Sequence, residues 1–173
     1  MIWESLIIVS VILVYFFTRN ENKKREEQER IEEEREKIEQ ERLVRKKELE
    51  EKWKKKEFWF GLNGLDTEKE LNIVFKHLGY DAERTPRSND EGIDHVLDKN
   101  IVVQTKNQKK KVSRPDLQKF WGSWKDSHKK GIFVSIHGFA KTCKEFVKDK
   151  PILLYDVKDV IRMSEGKKPE WNE

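Results

Sequence analysis

The stretch that decides the fold reads Gly92-Ile93-Asp94, His95-Val96-Leu97, Asp98-Lys99-Asn100, Ile101-Val102-Val103 and Gln104-Thr105-Lys106. Two runs rich in β-branched residues flank three turn-forming residues, and this pattern predicts a β-hairpin. A three-residue loop places Leu97 opposite Ile101 and therefore Asp94 opposite Gln104. Residues that face each other across an antiparallel pair share one side of the sheet, with Cβ atoms about 5 Å apart.

The same register brings a lysine to this side of the hairpin. Lys106 lies two residues beyond Gln104 and therefore projects from the same face. A two-residue loop would shift the register by one residue and separate Asp94 from Gln104. Asn100 suits the left-handed position that closes a three-residue loop. An acid, an amide and a lysine are therefore predicted to converge.

These three groups have a chemical use. Carboxylate and amide oxygens are ligands that Mg²⁺ accepts while it keeps several waters. The ion lowers the pKa of a bound water and neutralises charge that develops on a phosphate, and a nearby lysine stabilises the transition state. The alternative is an ordinary surface pair of an acid and a lysine, which contributes little to stability.

Further motifs surround the hairpin in a fixed order. They are Thr67-Glu68-Lys69-Glu70-Leu71, Leu78-Gly79-Tyr80, Asp90-Glu91-Gly92-Ile93-Asp94, Gln104-Thr105-Lys106 and Gly131-Ile132-Phe133-Val134-Ser135. This order resembles the Mrr-like branch of the restriction endonuclease-like superfamily, the PD-(D/E)xK nucleases, over residues 62–161. The resemblance implies a mixed α/β sheet flanked by helices and a nuclease that uses Mg²⁺.

The resemblance also implies a role for each matching residue. Asp94 would be the metal-binding acid, Gln104 would occupy the second acidic position and contact the metal, and Lys106 would be the catalytic lysine. Glu68 would be the helical acid, and Glu70 competes with it for that role.

Three residues depart from the family pattern. Thr67 stands where an aromatic or apolar residue usually precedes the helical acid, and His95 follows Asp94 where an apolar residue is common. Gln104 replaces an acid, which removes one negative charge from the ion site. The alternative function is therefore a catalytically inactive nucleic-acid-binding or membrane-scaffold protein that keeps the nuclease fold.

The apolar pattern near the start of the chain predicts a membrane anchor over residues 1–19. Residues 2–17 are almost wholly apolar and would form a helix about 25 Å long, at the short end for a hydrocarbon core of about 30 Å. Arg19 and the bases that follow it predict that the C-terminal side faces the cytoplasm. The alternatives are a cleaved signal peptide, which lacks a basic start and a cleavage site, and a buried core helix.

The charge pattern of residues 20–57 predicts a charged helical stalk. They contain equal numbers of acidic and basic residues and no Gly or Pro, and glutamates precede bases by four residues repeatedly, a spacing that stabilises helices. Apolar residues are too sparse for a sustained coiled coil, so we expect a solvated single helix. Weak dimerisation is the lesser alternative, and a homo-oligomer is not otherwise indicated.

Residues 58–173 are predicted to form the nuclease-like domain, with elements in the order αβββαβαβα. Asp66 or Thr67 is expected to cap the first helix, and Ser113 with Asp116 to open a later helix that ends near residue 127. Four basic residues beside the site are expected to contact DNA phosphates nonspecifically: Lys109, Lys110, Lys111 and Arg114.

Composition limits the partners of the chain. The chain has one cysteine, so an intramolecular disulfide is excluded. Its net charge is +4, so nonspecific affinity for DNA should be modest and salt-dependent. The sequence therefore predicts a membrane-anchored, Mg²⁺-dependent endonuclease whose partners are DNA and the lipid bilayer.

Overall fold

The structure, a computed structural model, describes residues 2–86 and 92–171, with side chains described from Tyr15 onward. The chain divides into two compact units, Met1–Glu48 and Leu49–Glu173. The first unit lies within helix α1, Ile2–Trp53. Its described apolar side chains, among them Ile31, Ile38 and Val44, are exposed, as expected for a solvated helix.

The predicted anchor, residues 1–19, falls mostly on residues whose side chains are not described. Among the described residues, no helix is long and apolar enough to cross a membrane. The anchor of residues 1–19 therefore stays a prediction.

The second unit begins before the predicted stalk ends. Trp53 is only 1% exposed, and its carbonyl oxygen accepts a 2.8 Å hydrogen bond from the buried indole of Trp59. Glu70 accepts hydrogen bonds from the Trp53 indole at 2.8 Å and from Lys52 at 2.9 Å. The predicted boundary between residues 57 and 58 therefore falls inside this unit, because the end of α1 packs into its core.

The second unit is a five-stranded sheet with helices on both faces. The strands are β1 Ala82–Arg84, β2 His95–Leu97, β3 Ile101–Lys106, β4 Lys130–Ser135 and β5 Ile152–Tyr155. The helices after α1 are α2 Lys56–Gly61, α3 Gly64–His77, α4 Arg114–Gly122, α5 Lys141–Val147 and α6 Val157–Ser164. The spatial order is β1-β2-β3-β4-β5. The first three strands are antiparallel, and β3, β4 and β5 are parallel. The mixed α/β class is confirmed, and the predicted element order is confirmed from α3 onward, whereas α2 was not predicted.

Two apolar clusters hold the helices against the sheet. One joins α3 and α6 to residues such as Leu97, Val103 and Ile132. The other joins α4 and α5 to Val102 and Phe133 on the opposite face. Alternate residues of β3 point to opposite faces, so Val103 and Thr105 face α3, while Gln104 and Lys106 lie on the side of α4.

Three local predictions were wrong. The cap of α3 is Asn63, whose side chain accepts a 2.9 Å hydrogen bond from the backbone of Asp66. Helix α4 ends at Gly122, because the following residues form turns instead, with Lys129 donating to the carbonyl of Asn100 at 2.8 Å. In the hairpin loop, Asp98 (φ 48°) and Lys99 (φ 64°) are left-handed rather than Asn100.

Candidate active site

The hairpin has the predicted register. His95 pairs with Val103 and Leu97 with Ile101, so Asp94 lies opposite Gln104 at the start of β2. The loop of residues 98–100 is closed by a 3.1 Å hydrogen bond from the backbone of Asn100 to that of Leu97. The prediction that the acid and the amide meet is confirmed by the contact between them.

Asp94 is held on several sides. Its carboxylate Oδ2 accepts hydrogen bonds from the Gln104 amide at 2.8 Å and from the backbone N–H of Thr105 at 2.6 Å. Its backbone N–H donates to the carbonyl of Val103 at 2.8 Å, and its carbonyl accepts from Thr85 at 2.9 Å. The side chain is 7% exposed. The two donors to Oδ2 and the two backbone hydrogen bonds therefore fix the buried carboxylate in position.

A glycine makes room for the Gln104 side chain. Gly92 has a φ of +96°, and a Cβ atom there would lie 3.3 Å from Oε1 of Gln104. The amide nitrogen of Gln104 also donates to the carbonyl of Thr105 at 3.3 Å. A side chain at position 92 would require both a rarely adopted backbone conformation and a shift of the amide.

Lys106 ends β3 and forms an ion pair with Asp116 of α4. The second oxygen of Asp116 accepts hydrogen bonds from the backbone N–H of Ser113 at 2.9 Å and from its hydroxyl at 2.7 Å. Burial raises the pKa of Asp116, but the hydrogen bonds from Lys106 and Ser113 lower it by a larger amount. The net effect is a pKa lowered to about 2. Asp116 thus caps α4 and holds the lysine with the same carboxylate.

Glu68 lies in α3, on the other face of the sheet. Its side chain forms a 3.4 Å contact with Arg84, and within the described residues no contact joins it to Asp94, Gln104 or Lys106. The structure thus brings Asp94 and Gln104 into contact and leaves Lys106 on the same face of β3, paired with Asp116, but it does not place Glu68 in contact with these residues. The competing acid Glu70 is bound to Lys52 and Trp53, which gives it a structural role.

Two polar contacts nevertheless tie the start of α3 to the hairpin. His95 is fully buried, and its Nε2 lies 2.9 Å from the carbonyl oxygen of Glu68. Burial lowers the pKa of His95 to about 4, so the ring is neutral near pH 7 and Nε2–H donates this bond. The apolar residue expected after Asp94 is therefore replaced by one that links β2 to the backbone of Glu68.

Asn107 forms the second contact. Its amide donates to the carbonyls of Trp59 at 2.9 Å and Leu62 at 2.8 Å, and to the hydroxyl of Thr67 at 2.9 Å. Thr67 in turn donates to the carbonyl of Asn63 at 2.7 Å. Thr67 thus replaces the usual apolar residue with one that joins this network.

Asn107 and Asp116 were not predicted as parts of the site. The signal for Asp116 was its capping-box spacing from Ser113, which identifies a helix start but not what the other carboxylate oxygen contacts. Asn107 directly follows Gln104-Thr105-Lys106, a position that carries no pattern of its own.

The predicted DNA-binding residues lie on the loop after β3 and at the start of α4. Lys109, Lys110 and Lys111 are exposed, and across the described ranges no ion pair engages them. The guanidinium of Arg114 lies over the ring of Phe146, with its carbon 5.6 Å from the ring centroid. The three lysines are therefore free to meet phosphates, whereas Arg114 also packs against α5.

The donor set suits a metal ion that shares its coordination with substrate. Among the described residues, no group of three or more His, Cys, Asp or Glu side chains is placed to hold a metal. Mg²⁺ does not need such a cage, because it is commonly held by one or two carboxylates together with waters and substrate phosphates. The carboxylate of Asp94 and the amide oxygen of Gln104 fit that limited role. The nearby acids Asp90 and Glu91 lie outside the described residues.

Comparison with known proteins identifies the family. A family model of the Mrr catalytic domain, described as restriction endonuclease, matches residues 61–164, more than half of the chain. The chain belongs to this restriction endonuclease family. The resemblance predicted over residues 62–161 is therefore confirmed, and Glu68, Asp94, Gln104 and Lys106 all fall inside the family domain.

Two known proteins are similar to this chain. One is the type IV methyl-directed restriction enzyme EcoKMrr of Escherichia coli (strain K12), 35% identical over 85 residues, which cover 42% of this chain and 28% of the relative. The other is the solved MspJI restriction endonuclease in complex with a 27-mer oligonucleotide, with a TM-score of 0.43 and 17% identity over 56% of this chain and 26% of that one. The chain spans less than a third of the length of either protein.

Proposed function

We propose that this protein is a Mg²⁺-dependent endonuclease that hydrolyses phosphodiester bonds in DNA. The observation that carries the proposal is the placement of Asp94 against Gln104, with Lys106 two residues along the same face of β3. Membership of the restriction endonuclease family supports the same reaction class.

Each residue of the hairpin has a distinct role in this proposal. Asp94 and Gln104 would hold the ion by their side-chain oxygens, and the chemistry that a bound ion would supply is a water of lowered pKa and neutralisation of charge on the phosphate. Lys106 carries a positive charge that stabilises the transition state. Asp116 keeps the ammonium of Lys106 in place before substrate arrives. Glu68, which contacts Arg84 rather than the hairpin residues, is assigned no role at the ion.

The experiment is a cleavage assay on duplex DNA with the full chain, with and without Mg²⁺. Lys106→Ala should abolish cleavage and leave DNA binding largely intact, because the lysine acts in the transition state. Lys125→Ala, which removes an exposed lysine after α4, is the matched control and should cleave normally. A folded Lys106→Ala protein that cleaves at the wild-type rate would refute the catalytic assignment.

Substitutions at the two oxygen ligands separate the proposal from the inactive alternative, which is favoured by Gln104 in an acidic position. Asp94→Ala should remove both metal binding and cleavage. Gln104→Glu should tighten Mg²⁺ binding, measured by calorimetry, and preserve or raise activity. An unchanged Mg²⁺ affinity in Gln104→Glu would favour a nucleic-acid-binding or scaffold protein.

We propose that DNA binding outside the site is nonspecific and mediated by Lys109, Lys110 and Lys111. Their exposure and position after Lys106 support this role, because phosphate contacts from lysines position a duplex without reading its sequence. Removing all three should weaken binding equally for unrelated DNA sequences and reduce its salt dependence.

We also propose that residues 1–19 anchor the protein in a lipid bilayer, with the C-terminal side in the cytoplasm and residues 20–57 as a spacer. The support is the apolar run of residues 2–17 and the bases that follow it. The protein should stay with membranes in high salt and be released by detergent, because salt screens charges but does not extract a spanning helix. Release by salt alone would contradict the anchor.

A further inference from the structure

A pocket of about 540 Å³ lies at the carboxyl ends of β4 and β5. This volume is within the range of small-molecule sites. The end of a parallel sheet where strands finish is also a usual place for ligands in α/β proteins. None of the candidate residues Asp94, Gln104 and Lys106 lines this pocket, so it is separate from the ion site.

The pocket nevertheless adjoins the candidate site. Lys106 pairs with Ser135 in the parallel register of β3 and β4, and the backbone of Ile136 donates to the carbonyl of Lys106 at 3.2 Å. Val112 then bridges to Phe139. The pocket wall of residues 136–139 is therefore hydrogen-bonded to the segment that leaves Lys106.

Aromatic rings line one part of this pocket. Phe60 is 43% exposed although it is large and apolar. Its ring centroid lies 4.9 Å from that of His137, at an angle of 64°, and Phe139 adds a third ring to the lining. Exposed rings in a recess offer stacking surfaces that any nucleobase can use, because each base has a π-face.

The charged residues of the pocket are divided between its walls. Lys111 and Lys144 supply positive charge, whereas Asp156 and Asp159 supply negative charge. Both acids are used in the cap of α6: Asp156 accepts from the backbone of Lys158 at 2.7 Å, and Asp159 from that of Asp156 at 3.0 Å. A phosphate is therefore favoured beside the lysines and disfavoured beside the cap of α6.

We propose that this pocket binds one nucleotide of a DNA strand, with its base turned out of the stack against Phe60 and His137 and its phosphate beside Lys111 and Lys144. The proposal rests on the proposed nuclease function, and it adds a subsite that flanks the phosphodiester at Lys106. An unpaired or distorted nucleotide near the cleavage position is then the form of substrate that the domain prefers.

The test measures the affinity of the full chain for labelled single-stranded DNA of about a dozen nucleotides, by fluorescence anisotropy in buffer without divalent cations. Phe60→Ala should raise the Kd by about 5- to 100-fold, because one stacked base is lost. Phe60→Tyr keeps the ring and should bind like the wild type. Trp121→Ala is the matched control, since Trp121 is 38% exposed on α4 outside the pocket, and it should leave the Kd unchanged.

Lysine variants and a competitor complete the test. The double variant Lys111→Gln, Lys144→Gln should raise the Kd and reduce the slope of log K against log salt by about one to two. A free deoxynucleoside monophosphate should compete poorly, because it lacks the neighbouring phosphates. A competitor that binds as tightly as the strand would overturn the assignment to a nucleotide within DNA.

The outcomes separate this proposal from the nuclease proposal. A wild-type Kd in a folded Phe60→Ala protein would overturn the pocket even if the wild type cleaves DNA. Loss of affinity in Phe60→Ala would support the pocket even if no cleavage is found with Mg²⁺. Lys125→Ala, at an exposed lysine after α4 that does not line the pocket, should keep the wild-type Kd in the same assay, and an equal loss of affinity there would show that positive charge alone, not the pocket, sets the affinity.

Discussion

At the scale of single residues, two residues of the candidate site serve both the local backbone structure and the position of a neighbouring side chain. Asp116 caps α4 through one oxygen and holds Lys106 through the other. Gly92 allows the left-handed backbone and leaves space for the Gln104 amide. Substitutions at such residues should therefore affect the stability of the fold as well as the site.

Asp116 provides a prediction with a defined pH dependence. Its folded pKa is lowered from 3.8 to about 2, so its contribution to stability is fully present above the unfolded pKa and is lost as the pH falls through about 2. Asp116→Ala should reduce the free energy of unfolding by about 1–2 kcal/mol near neutral pH.

Urea unfolding at neutral pH and at about pH 3 would measure this effect. The difference between wild type and variant should shrink at the lower pH, because the wild-type carboxyl begins to gain a proton in the unfolded state. Asp149→Ala, at an exposed position after α5, is the control. An equal difference at both pH values would show that charge on Asp116 is not the cause.

Gly131 provides a packing prediction. A Cβ atom there would overlap ring atoms of Trp124 and lie 3.1 Å from Cε1 of Phe120. Gly131→Ala should therefore destabilise the protein by about 1–3 kcal/mol through overpacking. Gly122→Ala is the matched control, because a Cβ atom there meets nothing within 4 Å. Thermal unfolding of both variants would test this by comparing their melting temperatures. Equal melting temperatures would contradict the close packing at Gly131.

At the scale of elements, the hairpin could be predicted and its connections to α3 and α4 could not. Loop length and the alternation of side chains fix the register within one hairpin, so Asp94 and Gln104 were placed from the sequence. The Lys106–Asp116 pair and the Asn107 contacts join elements that are separated along the chain. No local periodicity encodes such contacts, because they depend on how α3 and α4 pack on the sheet.

Contacts between distant residues also explain why two boundaries differ from the prediction. Asn63, Asp66 and Thr67 are all good capping residues, and the choice among them depends on the Asn107 network around Thr67. Trp53 was assigned to the stalk because charged residues surround it. Its burial follows from the later residues Trp59 and Glu70, which local charge pattern does not reveal.

Asn107 provides the prediction that belongs to this scale, because it joins the end of β3 to α2 and α3. Asn107→Ala should reduce the free energy of unfolding by about 1–3 kcal/mol, since it leaves partly buried carbonyls without their donor. Asn107→Asp has nearly the same shape but points a carboxylate at the carbonyls of Trp59 and Leu62, and it should be worse than alanine. Chemical unfolding of both variants tests the order. An aspartate variant as stable as the wild type would contradict the donor role of Asn107.

At the scale of the whole molecule, the two units have different sources of stability. The residues of the first unit lie in one solvated helix, whereas the second has apolar clusters on both faces of its sheet. The family match of residues 61–164 lies entirely in the second unit. Its stability nevertheless depends on residues that precede the family match, since Trp53 and Trp59 belong to one of these clusters.

This dependence predicts where a stable fragment must begin. A fragment of residues 49–173 keeps Lys52 and Trp53, and should unfold cooperatively. A fragment of residues 58–173 loses Trp53, which is 1% exposed, together with both donors to Glu70 and the acceptor of the Trp59 indole. Removal of a buried tryptophan alone costs about 3–5 kcal/mol, a large part of the stability of a small domain. The shorter fragment should therefore melt at a much lower temperature, or fail to fold.

In the longer fragment, Trp53→Ala should reproduce most of this loss, whereas Lys55→Ala, at an exposed position, should not. Equal melting temperatures for the two fragments would show that the end of α1 does not contribute to the core.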